Sequence, residues 1–279
     1  MPHDRLLCLD IETVPDPELV PADWPADRFV PNPIWHRVVA ISFVEARIEQ
    51  ADDGRERYPV ECCRTGGEAG WDEARLLRAW WRYFARCRAR VVTWNGKGFD
   101  LPVLRLRAMV HGLSAAPWFQ GASRWDGYTQ RYAPDWHCDL MEQLSDYGAC
   151  RHLALQDVAV ALGLPGKIGG HGAEVAAMVA RGETERVRAY CEADCLNLFV
   201  LYARWALLSG RLDAAGHDAS LESLVRCLEG QRDRRPHLGE FLDRWRASTR
   251  PAPMYLQDPE GERESIEHAR GRCQADAAG

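Results

Sequence analysis

The chain has 279 residues, of which 46% are hydrophobic and 27% charged, a balance that builds one substantial core and leaves little room for two large domains. The 35 Lys and Arg stand against 41 Asp and Glu, and the formal charge of -6 excludes a polycationic coat that grips nucleic acid through bulk charge. No stretch approaches about 18 apolar residues, the opening residues carry no secretion signal, and the 10 scattered Cys lack a CxxC pair; a cytoplasmic chain with reduced thiols and no membrane span is expected.

Residues 6–11 read as a short buried strand that ends in acid. Prolines punctuate 14–36, which reads as a long surface loop. A second strand spans 37–48, Asp52-Asp53-Gly54 marks a turn, and 57–63 returns, so these segments form a hairpin. The period then changes to that of a helix over 71–88. Leu77, Trp80 or Trp81, Phe84 and Cys87 fall on its apolar stripe, and Arg75, Arg78, Arg82 and Arg86 fall on another face. That arginine face reads either as solvated surface or as a set of phosphate contacts.

Residues 91–94 form the next strand candidate. It breaks at Asn95-Gly96-Lys97-Gly98, and a helix follows from Phe99 to about 110. The segment 112–136 is irregular, 138–141 is a brief extended or turn segment, and helices are expected at 152–162, 173–180 and 183–208. Beyond Gly210 the pattern weakens to two modest helices, at 221–228 and 239–245, and a polar tail over 249–279 that is expected to fray. The chain therefore divides into one compact domain at 1–210 and a small helical, partly disordered C-terminal appendage at 211–279.

Asp10 and Glu12 are two apart on an extended segment, so both carboxylates face one side at the end of a core strand, where ligands bind in α/β sheets. Asp100 opens a helix after a strand, a position that also suits a simple helix N-terminal acid. Asp194 lies four residues after Tyr190 in an otherwise apolar helix, which places phenol and carboxylate on one face. A buried acid there needs a partner. Four carboxylates gathered from three segments repel one another unless cations bind among them, and hard oxygen ligands suit Mg2+ or Mn2+. Two such ions about 3.5 to 4 Å apart serve phosphodiester hydrolysis.

Asp10-Ile-Glu12, Asn95-Gly-Lys-Gly-Phe-Asp100 and Tyr190-Cys-Glu-Ala-Asp194 resemble, in this order, the three exonuclease motifs of the DEDD superfamily in its tyrosine-containing DEDDy branch. The chain is most similar to the stand-alone bacterial group related to the exonuclease domain of family B DNA polymerases, with further likeness at Asp139-Leu-Met141 and Leu164-Pro-Gly-Lys167. The resemblance spans about residues 6 to 208. It implies an α/β, ribonuclease H-like exonuclease fold with a mixed central sheet flanked by helices. It also implies that Asp10, Glu12, Asp100 and Asp194 hold two divalent ions, Mg2+ or Mn2+, and that Tyr190 positions or helps deprotonate the attacking water. The implied reaction is 3'-5' removal of nucleoside 5'-monophosphates.

Asn95, Lys97, Phe99 and His171 are the candidates for substrate contact, with turn chemistry the competing reading for Asn95 and Lys97. Asp139 stays outside the metal set because its segment has no clear strand or helix phase. The expected substrate is the 3' end of single-stranded or frayed DNA. The alternatives are a 3'-5' exoribonuclease, which differs in whether the pocket accepts a 2'-hydroxyl, and a noncatalytic module that binds nucleic-acid ends. No polymerase, helicase or zinc-binding segment is recognised, so a free-standing enzyme is expected.

Overall fold

Alternation along the first strand decides how the layers form. β1 (Arg5–Pro15) sends Leu7, Leu9 and Ile11 to one face and Leu6 and Cys8 to the other, and all five are buried. A strand apolar on both faces belongs at the centre of a sheet covered by helices on each side. A computed structural model describes residues 3–25, 28, 30–121, 123, 125–166, 172–249 and 252–257. β2 (His36–Arg47) pairs antiparallel with β1, and the tip of its hairpin carries a small ladder of β3 (Glu49–Gln50) and β4 (Glu56–Arg57). β5 (Val60–Thr65) then returns antiparallel to β2, as the turn at Asp52-Asp53-Gly54 requires.

β6 (Arg90–Thr93) and β7 (His137–Asp139) add in parallel on the far side of β1. The spatial order is β5-β2-β1-β6-β7, with β2 the one reversed strand of the five. This mixed sheet between two helical layers is the ribonuclease H-like arrangement.

α1 (Glu73–Cys87), α2 (Asp100–Val110) and the short α3 (Ala116–Phe119) cover the face of Leu7, Leu9 and Ile11. Asp72 caps α1 by accepting from the Arg75 N–H, and Leu76, Leu77, Trp80, Trp81 and Phe84 form the buried stripe. Each contributes about 1.5 to 3 kcal/mol of burial. The other face carries α4 (Leu140–Leu144), α5 (Leu155–Ala161), α6 (Gly172–Ala180), α7 (Thr184–Leu208), α8 (Ala214–Glu229) and α9 (Pro236–Arg246). α7 is buried on most of its circumference, as a helix between a sheet and an outer layer must be. Leu221 and Leu228 of α8 and Phe241 and Trp245 of α9 belong to the same core cluster as Phe199 of α7 and Cys63 of β5.

Several boundaries depart from the sequence reading, and two of them show the cause. β1 does not stop at Ile11 but runs to Pro15, because β2 keeps pairing with it through Pro15 and His36 while β6 pairs only as far as Cys8. Pro15 is tolerated at the strand's last position, where no ladder donor is needed. α8 starts at Ala214, well before 221, since Asp213 accepts from the Gly216 N–H and caps it there. All nine cysteines among the described residues are free thiols. Among the described residues no helix is long and apolar enough to cross a membrane.

Candidate active site

Because β1 outruns β6, its second half lies open on one side, and Asp10 and Glu12 fall in that stretch. They stand opposite Ser42 and Ala40 of β2, and a register shift follows between Glu12 and Thr13. Both share the face of Cys8 and Val14, toward α7 and α6. Along α7, Tyr190 and Asp194 are one helical turn apart, buried to 3% and 7% exposure. The strand period of two and the helix period of four thus meet at one place.

Asp100 comes to this place from α2, on the other side of the open strand. Its Oδ1 accepts the Ile11 N–H at 3.2 Å, replacing the ladder partner that β6 no longer supplies. Asp10, Asp100 and Asp194 line one cavity of about 420 Å3, together with Trp94, Asn95 and Phe99. A carboxylate oxygen of Asp10, one of Glu12 and the Cys191 sulfur lie within 4.8 Å of one another. The structure therefore brings together the four carboxylates and Tyr190 that the sequence singled out.

The electrostatics of this grouping are those of a site short of positive charge. Burial and then the charges of Asp100, Glu12 and Asp194 push the Asp10 carboxyl well above the usual carboxylate range. Burial pushes Asp100 up to about 7. Burial, followed by the charges of Asp194, Glu12 and Asp10, pushes the Tyr190 phenol up as well, so it keeps its proton at neutral pH. Such a set of hard oxygen donors fits divalent cations, which would relieve the mutual repulsion.

The loop Asn95-Gly-Lys-Gly-Phe is held by Asp139. Its Oδ1 accepts the Asn95 N–H and its Oδ2 the Lys97 N–H, each at 2.9 Å, and the side chain is fully buried at the end of β7. Both oxygens thus serve the loop backbone. Asn95 itself has φ +59°, a left-handed conformation that Asn adopts more readily than most residues. A Cβ at Gly98 would approach Asn95 Oδ1 to 2.5 Å, so any larger residue there would displace the Asn95 amide from its place at the cavity. Phe99 packs edge-on against His36 with ring centres 4.8 Å apart, and its ring borders the cavity. Lys97 turns away from the four acids and pairs with Glu142 at 3.0 Å in a neighbouring cavity that Asn95 also lines. His171 lies outside the described residues.

Sequence reasoning missed Cys191. Its sulfur is 3.4 Å from both the backbone oxygen and Oδ2 of Asp10, and burial pushes the thiol up, so it remains a protonated donor to that carboxylate. The signal was present in Tyr190-Cys-Glu-Ala-Asp194, since at about 3.6 residues per turn Cys191 lies about 60° from Asp194 around the helix, whereas Glu192 lies about 160° away. Asp139 was visible as an acid, but its role follows from the parallel pairing of β6 and β7, which sets Thr93 beside Asp139.

Comparison with known proteins gives two findings. A family model described as a predicted 3'-5' exonuclease related to the exonuclease domain of PolB matches residues 27–245, which takes in Asn95 to Asp100, Tyr190, Asp194 and both C-terminal helices but not Asp10 and Glu12. The family B DNA polymerase from the hyperthermophilic archaeon Pyrobaculum calidifontis is similar in structure, with a TM-score of 0.45 and 18% sequence identity. That match covers 81% of this chain and 30% of the polymerase chain, so the chain spans under a third of its length. No curated protein matches.

Proposed function

The chain belongs to the family of predicted 3'-5' exonucleases related to the exonuclease domain of PolB, and from that premise we propose that it removes nucleoside 5'-monophosphates from the 3' ends of single-stranded or frayed DNA. The observation that carries this reading is the convergence of Asp10, Glu12, Asp100 and Asp194 beside Tyr190, from one strand and two helices. The four carboxylates would hold two divalent ions, Mg2+ or Mn2+, with Asp10, which feels the charge of the other three, the natural shared ligand. When bound, such a pair supplies an activated water and neutralises the charge that builds on the phosphodiester and its departing 3'-oxygen.

The chain's own groups do the rest. Tyr190 keeps its proton and orients the attacking water through its hydroxyl rather than acting as the base. Cys191 donates toward Asp10 and fixes the orientation of that carboxylate. Asn95 and Phe99 border the cavity where the terminal nucleotide would lie, the amide placed for a polar contact and the ring for an apolar one. Asp139 keeps both in place through the loop backbone.

The test is nucleotide release from 3'-labelled and 5'-labelled strands, of DNA and of RNA, with Mg2+, with Mn2+ and with chelator. The expected result is immediate release of labelled mononucleotide from the 3'-labelled DNA, stepwise shortening of the 5'-labelled DNA, and no release in chelator. Metal-dependent shortening of RNA alone would reassign the substrate. No shortening of either polymer, with strand binding intact, would overturn the enzymatic reading.

A further inference from the structure

α1 presents a face that the fold itself does not use. Arg75, Arg78, Arg82 and Arg86 are spaced by three, four and four, and all are exposed. Residues at such spacings are neighbours on a helix, and like charges there destabilise it. The remedy used elsewhere in the molecule is a glutamate within a turn: Arg186 pairs with Glu183, Arg226 with Glu222 and Arg244 with Glu240. On α1 that remedy is absent, and none of the four arginines pairs with a carboxylate among the described residues.

The two acids at the start of α1 are committed elsewhere. Asp72 accepts the Arg75 N–H as the cap, and Glu73 turns inward to the Arg107 guanidinium, His111 and the Val38 N–H. The Arg75 guanidinium lies over the Trp71 ring, 4.1 Å from its centre, an arrangement that holds the charge without neutralising it.

The direction of the stripe is fixed by its anchors. Glu73 binds the Val38 N–H, and Val38 stands opposite Thr13, next to Glu12. The other end of α1 leads through Arg88, whose backbone oxygen meets His3, back to the opposite end of the sheet. The stripe thus starts near the end of β1 that carries the acidic cleft, on the sheet face from which Asp100 reaches it and opposite the face of Asp10 and Glu12, and runs away from that end for about 16 Å, at about 1.5 Å per residue. Phe43 and Tyr83 lie beneath the guanidinium of Arg64, at 5.2 and 5.5 Å, where β5 meets Arg86; unlike the four on α1, this exposed cation has a carboxylate, Glu45, at 3.9 Å.

We propose that this face of α1 binds the sugar-phosphate backbone of the nucleic-acid strand behind the 3' end that enters the cleft. The inference rests on the exonuclease reading for the identity of the strand. Four guanidinium groups in a row, with no aromatic side chain exposed among them, make contacts to phosphate rather than to bases. The face is therefore indifferent to sequence. It also gives an acidic protein a local positive surface for a polyanion while the cleft stays negative.

The experiment measures binding of a 5'-labelled single strand of about 30 nucleotides, in chelator so that no hydrolysis occurs, at about 50 to 200 mM salt. Arg78→Glu with Arg82→Glu should make the slope of log affinity against log salt shallower by about 1.4, from two lost contacts at about 0.7 each, and weaken binding about tenfold at the lowest salt. Arg78→Gln with Arg82→Gln removes the charge and keeps helix propensity, and it should reproduce the change in slope even if the Glu pair folds poorly. Arg226→Glu with Arg244→Glu imposes the same change in net charge on α8 and α9 and should leave the slope unchanged. Equal shifts in both double reversals, or none in the α1 pairs, would overturn the proposal. A changed slope in a protein that shortens no strand with Mg2+ would leave the α1 face standing and remove the exonuclease reading.

Discussion

Asp10, half-buried on β1, and Glu192, buried on α7, are carboxylates that meet at the same helix, and their surroundings have opposite signs. Asp10 faces α7 from β1 among other acids, and burial together with their charges pushes its carboxyl up. Glu192, next to Cys191 in the chain, points away from the cleft. Its Oε1 accepts from Thr65 at 2.7 Å, and its Oε2 meets His237 at 2.7 Å and the guanidinium of Arg235. Burial alone would raise the Glu192 carboxyl, but His237, Arg235 and Thr65 together outweigh it and hold it below the ordinary value. The fold gives Glu192 cationic partners, and gives Asp10 a neutral thiol and further acids. On the proposed function, the difference separates a group that stabilises the chain from one that is set up for chemistry.

The sharpest way to break this comparison is to remove one acid from each side. Asp10→Ala should lower the rate of nucleotide release by about 10³-fold or more while leaving the metal-free protein as stable as before or more so. A large loss of stability would mean that Asp10 is structural after all. Glu192→Ala should do the reverse in chemical denaturation, costing about 3 kcal/mol because it strands Arg235 and His237 half-buried without their partner. An unfolding midpoint equal to that of the unsubstituted chain would show the Glu192 contacts to be idle.

A smaller effect separates the roles within the cleft. Tyr190→Phe keeps the packing of the ring and loses the hydroxyl, so release should slow by about tenfold with the midpoint of its pH profile unmoved. A displaced midpoint would make the phenol a proton carrier.

The smallest effect is in the pH dependence of stability, where the two regions have opposite signs. Asp100 has an ordinary value of 3.8 and about 7 in the fold, so its contribution without metal is full below about 4 and is lost as the pH rises through about 7. Glu192 lies below its ordinary 4.5, so its contribution is full above that value and is lost on acidification. Thermal unfolding in chelator should therefore show a midpoint that declines as the pH rises from about 4 to about 7, and Asp100→Asn should flatten that decline. Mg2+ should raise the midpoint by about 2 to 4 °C more at pH 8 than at pH 5. Equal shifts at the two pH values would disconnect the carboxylates from the metal.

Much of this arrangement was legible in the chain. Asp10 and Glu12 at spacing two, and Tyr190 and Asp194 at spacing four, are local periodicities, and a local periodicity survives into the fold unchanged. The α7 boundaries agree to one residue with the helix read over 183–208. The extension of β1 to Pro15 was hidden because it depends on how far β2 continues alongside, which is a property of pairing and not of the segment. The partners of Glu192 were hidden for the same reason, since Thr65, Arg235 and His237 come from β5 and from the start of α9. Asp139 could be seen as an acid, but only its place beside Thr93 makes it the clamp of the 95–99 loop.

The contacts of Glu192 have a mechanical side as well. A side-chain atom rides about 6 Å from a helix axis, so turning α7 by about 10° would carry Asp194 and the Tyr190 hydroxyl about 1 Å along an arc. A displacement of that size is enough to spoil an in-line attack by about a hundredfold. Thr65 on the sheet and Arg235 and His237 beside α9 take hold of Glu192 from two directions, and a shaft gripped in that way has a fixed azimuth. The C-terminal helices can thus set the angular precision of a cleft they do not line.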